Sequence, residues 1–113
     1  MKHDSVYLEH IIDETAFIIK ESRELRFEDL IKNEILKRAI IRSLEIIGEA
    51  VKNISKELKD RHTDIEWKKI AGIRDKLIHD YFGVDWNIVW DVINIQIPDL
   101  SVKINKILKD MKK

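Results

Sequence analysis

The scarcity of turn-forming residues limits what this chain can fold into. It has one proline and three glycines in 113 residues, so its secondary-structure elements must be long and its turns few. Lys, Glu, Ile and Leu dominate the sequence, and these residues favour helices. Hydrophobic residues make up 44% and charged residues 37%, which is typical of a soluble globular protein and not of a disordered one. We therefore expect a single helical domain over residues 1–113.

Apolar residues recur every three or four positions in four stretches, which predicts four main helices. The first begins near Asp4 or Ser5, either of which could cap it, and the second runs from about Glu28 to Leu58. The second carries a heptad seam that could pack inside a bundle or against a second copy. Its residues are Ile40, Leu44, Ile47, Val51, Ile54 and Leu58.

Capping signals place the third helix. Thr63 and Glu66 form a capping-box pattern, so this helix is expected to begin near Asp64. Gly83 suits the position just past its end, where φ is often positive.

The fourth helix is predicted to begin after Asp85, a suitable N-cap, and to run to about Met111. Pro98 must kink or restart it, because proline has no amide hydrogen to donate. Gly48 and Gly72 lie inside predicted helices at a cost of about 1 kcal/mol each, and close approach of another helix is the expected reason. The predicted fold is all-α, an antiparallel bundle of four main helices.

The charge pattern has two interpretations. The formal net charge is zero, but residues 1–34 hold five basic and nine acidic residues, which leaves the remainder basic by four charges. The basic part could be an ordinary solvated surface or a surface that faces an anion. The same two interpretations apply to a C-terminal stripe of lysines, namely Lys103, Lys106, Lys109, Lys112 and Lys113.

Several classes of site and location are excluded or disfavoured. The chain has no cysteine, which excludes disulfides and thiolate metal sites. No apolar run approaches the length of a membrane span, and the first ten residues, MKHDSVYLEH, lack a signal-peptide core. The expected location is the cytoplasm. His10 with Asp13 and Glu14 has no metal-ligand spacing, so no metal site and no cofactor are predicted.

The candidate chemistry lies in 74-RDKLIHDYFGVD-85. Arg74 and Tyr81 are seven residues apart and share a helix face, whereas His79 lies about 140° from Arg74. Asp75 is four residues before His79 and could orient the imidazole. A guanidinium and a histidine that exchanges protons near neutral pH suit phosphodiester cleavage without a metal. The structural alternatives are a surface ion-pair arginine, a helix-end histidine and a core-edge tyrosine.

This R-x-x-x-x-H-x-Y stretch resembles the signature of HEPN domains, specifically the HepT-like toxin group. The segments 42-RSLEIIGEAVKNIS-55 and 67-WKKIAGIRDKLIHDYFGVD-85 resemble that group's second and third helices, and 89-VW-90 with the later 97-IPDL-100 resembles its fourth. The similarity covers roughly residues 4–108. No signature position departs from the family pattern.

The resemblance implies the toxin of a type VII-like toxin–antitoxin pair, a metal-independent endoribonuclease built as a homodimer whose motif helices face one cleft. Arg74 would bind phosphate and stabilise the transition state. His79 would assist attack by the RNA 2′-hydroxyl, and Asp75 would orient the pair. Tyr81 would accept AMP from a partner nucleotidyltransferase that acts as the antitoxin, which would block the cleft.

Two further residues are candidates for RNA contact, and two rival functions stay open. Trp86 could stack on a base and Lys76 could bind phosphate; Trp67 and Trp90 fall among apolar positions and are expected in the core. One rival is a non-catalytic HEPN module that serves only as partner or acceptor of a nucleotidyltransferase. The other is a structural helical dimer without nucleotide chemistry.

Overall fold

The structure is a computed structural model that describes residues 2–78 and 83–112, with side chains except at positions 2, 74, 77 and 78. Within these ranges the chain forms only helices, so the all-α prediction is confirmed. The α-helices are α1 (Lys2–Ser22), α2 (Phe27–Lys32), α3 (Glu34–Asn53), α4 (Lys56–Arg61), α5 (Trp67–Ile78), α6 (Trp86–Asp91) and α7 (Ile97–Met111), and a π segment (Val92–Gln96) joins α6 to α7.

Four long units pack around one core: α1, α3, α5, and the rod formed by α6, the π segment and α7. Helix α3 lies between α1 and α5, and α1 also packs along α7. All six residues of the predicted heptad seam are buried, so the seam packs inside the bundle. The rod contributes a matching buried row of Ile93, Ile97, Leu100, Ile104 and Ile107. None of the helices in the described ranges is long and apolar enough to cross a membrane.

Helix α1 begins before its predicted cap. Asp4 lies inside the helix and is 2% exposed. Its carboxylate accepts hydrogen bonds from the backbone amide of Ser55, at 2.8 Å, and from the Ser55 hydroxyl, at 2.6 Å. The Ser55 hydroxyl in turn accepts from the amide of Leu58 and caps α4. The prediction that Asp4 or Ser5 caps α1 was wrong, because Asp4 stabilises the start of a different helix.

The predicted second helix, Glu28 to Leu58, is three helices. Asn33 ends α2 and begins α3, with an extended backbone and a side chain that accepts a hydrogen bond from the Leu36 amide at 3.0 Å. A second break follows α3 at Ile54 and Ser55. Both breaks occur where a side chain satisfies amides that a helix start leaves unpaired. The buried seam continues across the second break, which is why apolar periodicity alone did not reveal it.

Helix α5 also begins later than predicted. Thr63 and Asp64 lie in a turn, and the first helical residue is Trp67. The capping-box prediction was therefore wrong. Trp67 is 8% exposed, and its indole nitrogen donates to the carbonyl oxygen of His62 at 3.0 Å. This bond, together with burial of Ile65, fixes the start of α5 in place of a local capping box.

The fourth helix restarts at Pro98, as predicted. Its first part, α6, is capped by Asp85, whose carboxylate accepts from the Asn87 amide at 3.0 Å. The π segment then inserts one wider turn, in which the amide of Ile97 donates to the carbonyl of Val92. Pro98 follows in the first turn of α7, where a missing amide hydrogen costs little. The wider turn thus lets the rod continue through the proline.

Candidate active site

The candidate site is built on the second half of α5. Arg74 belongs to α5 at a position seven residues after Trp67 and four after Ile70. That position shares a helix face with residues that pack towards the core. His79 and Tyr81, the other two residues of the predicted site, lie outside the described residues. The predicted pairing of Asp75 with His79 lies outside them as well.

A cation from α3 reaches the candidate site. The Lys52 ammonium lies 3.1 Å from Oδ1 of Asp75 and donates a hydrogen bond to it. The Asp75 and Lys52 side chains are 47% and 40% exposed, so the pair contributes at most about 1 kcal/mol to stability. Its importance is positional, because it holds the carboxylate of the residue that directly follows Arg74 in the sequence. Sequence reasoning missed Lys52, since no local pattern links residues 23 positions apart.

The end of the signature stretch is also held in place. Gly83 has φ of +109°, a conformation that glycine adopts without the penalty of a side chain. The predicted positive φ is confirmed, and its predicted position just past the end of α5 lies outside the described residues. Val84 and Trp86 then pack against the core. The signature segment therefore runs between two anchored points, the buried start of α5 and the capped start of α6.

Trp86, a candidate for RNA contact, already has a cationic neighbour. The Lys37 ammonium lies 5.2 Å from the centroid of its ring, within the range of a cation–π interaction. Lys37 also donates to the Ile31 carbonyl and the Glu34 carboxylate, each at 3.3 Å. These contacts join the α2–α3 junction to α6. Only the part of the half-buried indole that Lys37 leaves uncovered could stack on a base.

The outer face of α5 carries the second candidate for RNA contact. Lys76 is exposed, and so are Lys69 and Gly72 at helical spacings of seven and four before it. A Cβ on Gly72 would meet no heavy atom within 4 Å. The prediction that a neighbouring helix explains this glycine was therefore wrong within the described part of the chain; Gly48, by contrast, is buried. Lys76 lies about 200° around α5 from Arg74.

The C-terminal lysines do not form a uniformly basic surface. The Lys103 ammonium lies 3.0 Å from the Asp99 carboxylate and donates to the Asp64 carbonyl at 2.8 Å. Three others, Lys106, Lys109 and Lys112, line a groove whose opposite wall on α1 contains Glu9 and Asp13. Acids interleaved in this way favour an ordinary solvated surface over one that follows a phosphate backbone.

His10 and the acids near it have structural roles, and no metal cluster is formed among the described residues. His10 lies with its ring perpendicular to that of Tyr7, at a centroid distance of 6.3 Å, and Glu14 accepts a hydrogen bond from the Ser43 hydroxyl at 2.7 Å. Across residues 2–78 and 83–112, no three His, Asp or Glu side chains are grouped closely enough to hold a metal ion. The two other tryptophans, Trp67 and Trp90, pack in or against the core, as expected.

Comparison with known proteins identifies the family to which the sequence is similar. A family model described as "Ribonuclease HepT-like" matches residues 11–107. A protein of Caldanaerobacter subterraneus subsp. tengcongensis, named as a candidate RNase, is 50% identical over 99% of this chain and 100% of its own length. A protein of Thermococcus cleftensis named "Probable ribonuclease HepT" is 45% identical, with 91% and 94% covered.

A third relative, from Methanocaldococcus jannaschii and also named as a candidate RNase, is 42% identical over 93% of this chain and 90% of its own length. No solved structure matches the chain significantly. The family match spans α3, α5 and the rod as far as residue 107, and therefore includes the whole signature. On this evidence, the chain belongs to the HepT-like ribonuclease family of HEPN proteins.

Proposed function

We propose that this protein is a metal-independent endoribonuclease that cleaves RNA in the cytoplasm. The observation that carries the proposal is the complete signature at residues 74–85, which runs from the anchored helix α5 to the capped start of α6 in a chain that matches the ribonuclease family. The relatives named as ribonucleases support the same reaction class.

In the proposed reaction the RNA 2′-hydroxyl oxygen attacks the neighbouring phosphorus. His79 accepts or relays the hydroxyl proton, and the guanidinium of Arg74 stabilises the negative charge that builds on the phosphate oxygens. The bond from phosphorus to the 5′-oxygen breaks, and that oxygen takes up a proton. The products are a 2′,3′-cyclic phosphate and a 5′-hydroxyl, so no metal-bound water is needed.

Asp75 has a supporting role in this proposal. Its carboxylate, which accepts a hydrogen bond from Lys52, would orient the groups on either side of it without entering the reaction. The Lys52 ammonium adds positive charge where an RNA phosphate would approach, and this favours binding of the substrate.

We further propose that the active unit is a homodimer and that its activity is controlled by a nucleotidyltransferase antitoxin, as in a type VII-like toxin–antitoxin pair. A dimer in which two motif helices face one cleft would bring Arg74 and His79 of both copies together. AMP on the Tyr81 hydroxyl would add bulk and negative charge to that cleft.

The decisive experiment is cleavage of a defined RNA in excess EDTA, with mapped product ends. We expect cuts that end in cyclic phosphate for the wild type and their loss in His79→Ala. Arg74→Lys should also be impaired, because lysine does not reproduce the planar, bidentate guanidinium. His10→Ala, a change at an exposed histidine on α1, is the matched control and should cleave normally.

The intact mass of the preparation must be measured alongside, since AMP on Tyr81 would silence an active enzyme. Unmodified protein that leaves RNA intact would refute the nuclease proposal. The alternative would then be a non-catalytic HEPN module that docks on, and accepts AMP from, a nucleotidyltransferase. Labelling of wild-type protein but not of Tyr81→Phe by the cognate transferase and ATP would support that alternative.

A further inference from the structure

The rod formed by α6, the π segment and α7 leaves an apolar row uncovered on its outer side. Ile95 and Val102 are 67% and 71% exposed. They are seven residues apart and lie on one side of the rod, away from its buried row. Ile88, which is 40% exposed, precedes the π segment, and the residue that this segment adds turns Ile88 away from that line. Exposed isoleucine and valine are ordinary when single, but two along one face of a helix indicate a surface that another molecule covers.

The exposed residues that flank the apolar positions are charged, and the sign of the charge changes along the rod. Asp91 lies between Ile88 and Ile95, and Lys106 follows Val102; both side chains are exposed. Among the described residues, no ion pair occupies either of them. The row is thus acidic towards its start and basic towards its end.

This arrangement is self-complementary in one orientation. If two rods pack antiparallel about a two-fold axis at the bond between Pro98 and Asp99, Ile95 of each copy meets Val102 of the other. In the same register Asp91 meets Lys106, because both are equally distant from the axis. In a parallel contact, Asp91 of one copy would lie beside Asp91 of the other, and Lys106 beside Lys106. Such like-charge pairs are unfavourable.

Other occupants fit this face less well. Acidic Asp91 and Asp99 lie along it, and Asp99 is already paired with Lys103 on the same helix, so the face offers little to the phosphates of RNA. A groove between α1 and α7 opens beside Val102 and Lys106, which leaves room for a partner helix at the edge of the bundle.

We propose that the exposed face formed by Ile95 and Val102 binds a second copy of this chain through antiparallel packing of the two rods. This surface is separate from α5, so the proposal does not depend on nuclease activity or on the motif-helix dimer. If both contacts form, the assembly holds at least four chains. One helix from each copy gives a small interface, and we expect it to dissociate on dilution.

The first test is sedimentation over a concentration series. The double variant with Ile95→Glu and Val102→Glu should not form the largest assembly that the wild type forms. Its own largest assembly should have half that mass. Ile35→Glu is the matched control, since Ile35 is 83% exposed at the start of α3 and lies outside the row. Equal thermal melting of all three would show that they fold alike. Identical masses for the double variant and the wild type at every concentration would overturn the proposal.

The second test concerns orientation and uses the absence of natural cysteine. Ile95→Cys and Val102→Cys are made as separate proteins, mixed and oxidised. Antiparallel packing predicts efficient crosslinking between the two variants and little within either alone. Crosslinks that form equally well within one variant would refute this register. Exchange of the charges, Asp91→Lys with Lys106→Asp, should restore an assembly that each single change weakens; failure to restore it would contradict the proposed ion pair.

Discussion

The Lys52 ammonium and the Asp75 carboxylate, 3.1 Å apart, connect α3 to the helix that carries the signature. Each residue lies near the C-terminal end of its helix. The pair therefore favours contact between these two helix ends, and Asp75 directly follows Arg74 in the sequence. A contact that contributes little to folding can still determine the geometry of a reaction.

Lys52→Met should lower the free energy of unfolding by no more than about 1 kcal/mol, since the pair is solvent-exposed. We expect RNA cleavage to fall by a larger factor than this loss of stability explains. Urea denaturation and cleavage rates on the same preparations would show the difference. The control is Lys56→Met, which removes another exposed pair, with Asp60 at 2.9 Å. There Asp60 raises the pKa of Lys56 through its hydrogen bond and its charge. Equal losses of cleavage in both variants would show that Lys52 has no special role.

Asp4→Ala should be strongly destabilising. Asp4 is 2% exposed and its carboxylate accepts two hydrogen bonds from Ser55, so the change removes the acceptor of the amide and hydroxyl protons of this half-buried serine. We expect a loss of about 2–3 kcal/mol in the free energy of unfolding, measured in urea. Asp13→Ala, at an exposed position on the same helix, should change it by less than about 0.5 kcal/mol. A similar small effect for both would mean that water replaces the carboxylate at no cost.

Gly72→Ala should stabilise the isolated chain by about 0.5–1 kcal/mol, because alanine is a better helix former and the added methyl meets open space. Thermal melting at low protein concentration would measure this. If a partner's helix approaches α5 closely at this glycine, the same change should weaken the dimer at higher concentration. Stabilisation that is the same at all concentrations would argue that α5 does not contact a second copy there.

Asp85→Ala should cost about 1 kcal/mol, since it removes the N-cap of α6. Asp85→Asn should recover most of this, because an amide oxygen can also accept from the Asn87 amide. Urea denaturation of the two variants distinguishes the effect of the capping hydrogen bond from the effect of the negative charge. If Asn behaves like Ala, the carboxylate acts through its charge and not as a cap.

Much of this fold could be predicted because its strongest constraints are periodic or local. Burial of the seam from Ile40 to Leu58 follows from the spacing of apolar residues, and the roles of Gly83, Asp85 and Pro98 follow from backbone chemistry. Helix ends were harder to predict. Asn33 and Ser55 are good cap residues, but the apolar seam runs past Ser55 without a change of period.

The candidate site also has a part that the sequence predicted and a part that only the tertiary structure shows. The signature was recognisable as a linear motif, whereas the contributions of Lys52 to Asp75 and of Lys37 to Trp86 arise from tertiary packing. Asp4 is a clearer case still, because a residue suited to capping its own helix contributes to another helix 51 positions away. No sequence window contains both partners of such contacts.

The π segment gives the rod one residue more than a regular helix of the same length would hold. Five residues of a π turn complete about the rotation that four residues complete in an α-helix. Deletion of one residue within 92–96 should therefore relax the segment to α-helix and leave α6 and α7 in nearly the same relative orientation, with Trp90 still edge-on to Phe27, whose ring centroid now lies 5.7 Å from its own. A deletion inside α6 or α7 would instead turn the buried row away from the core, so losses of one residue in this family should be tolerated within 92–96 and selected against on either side of it.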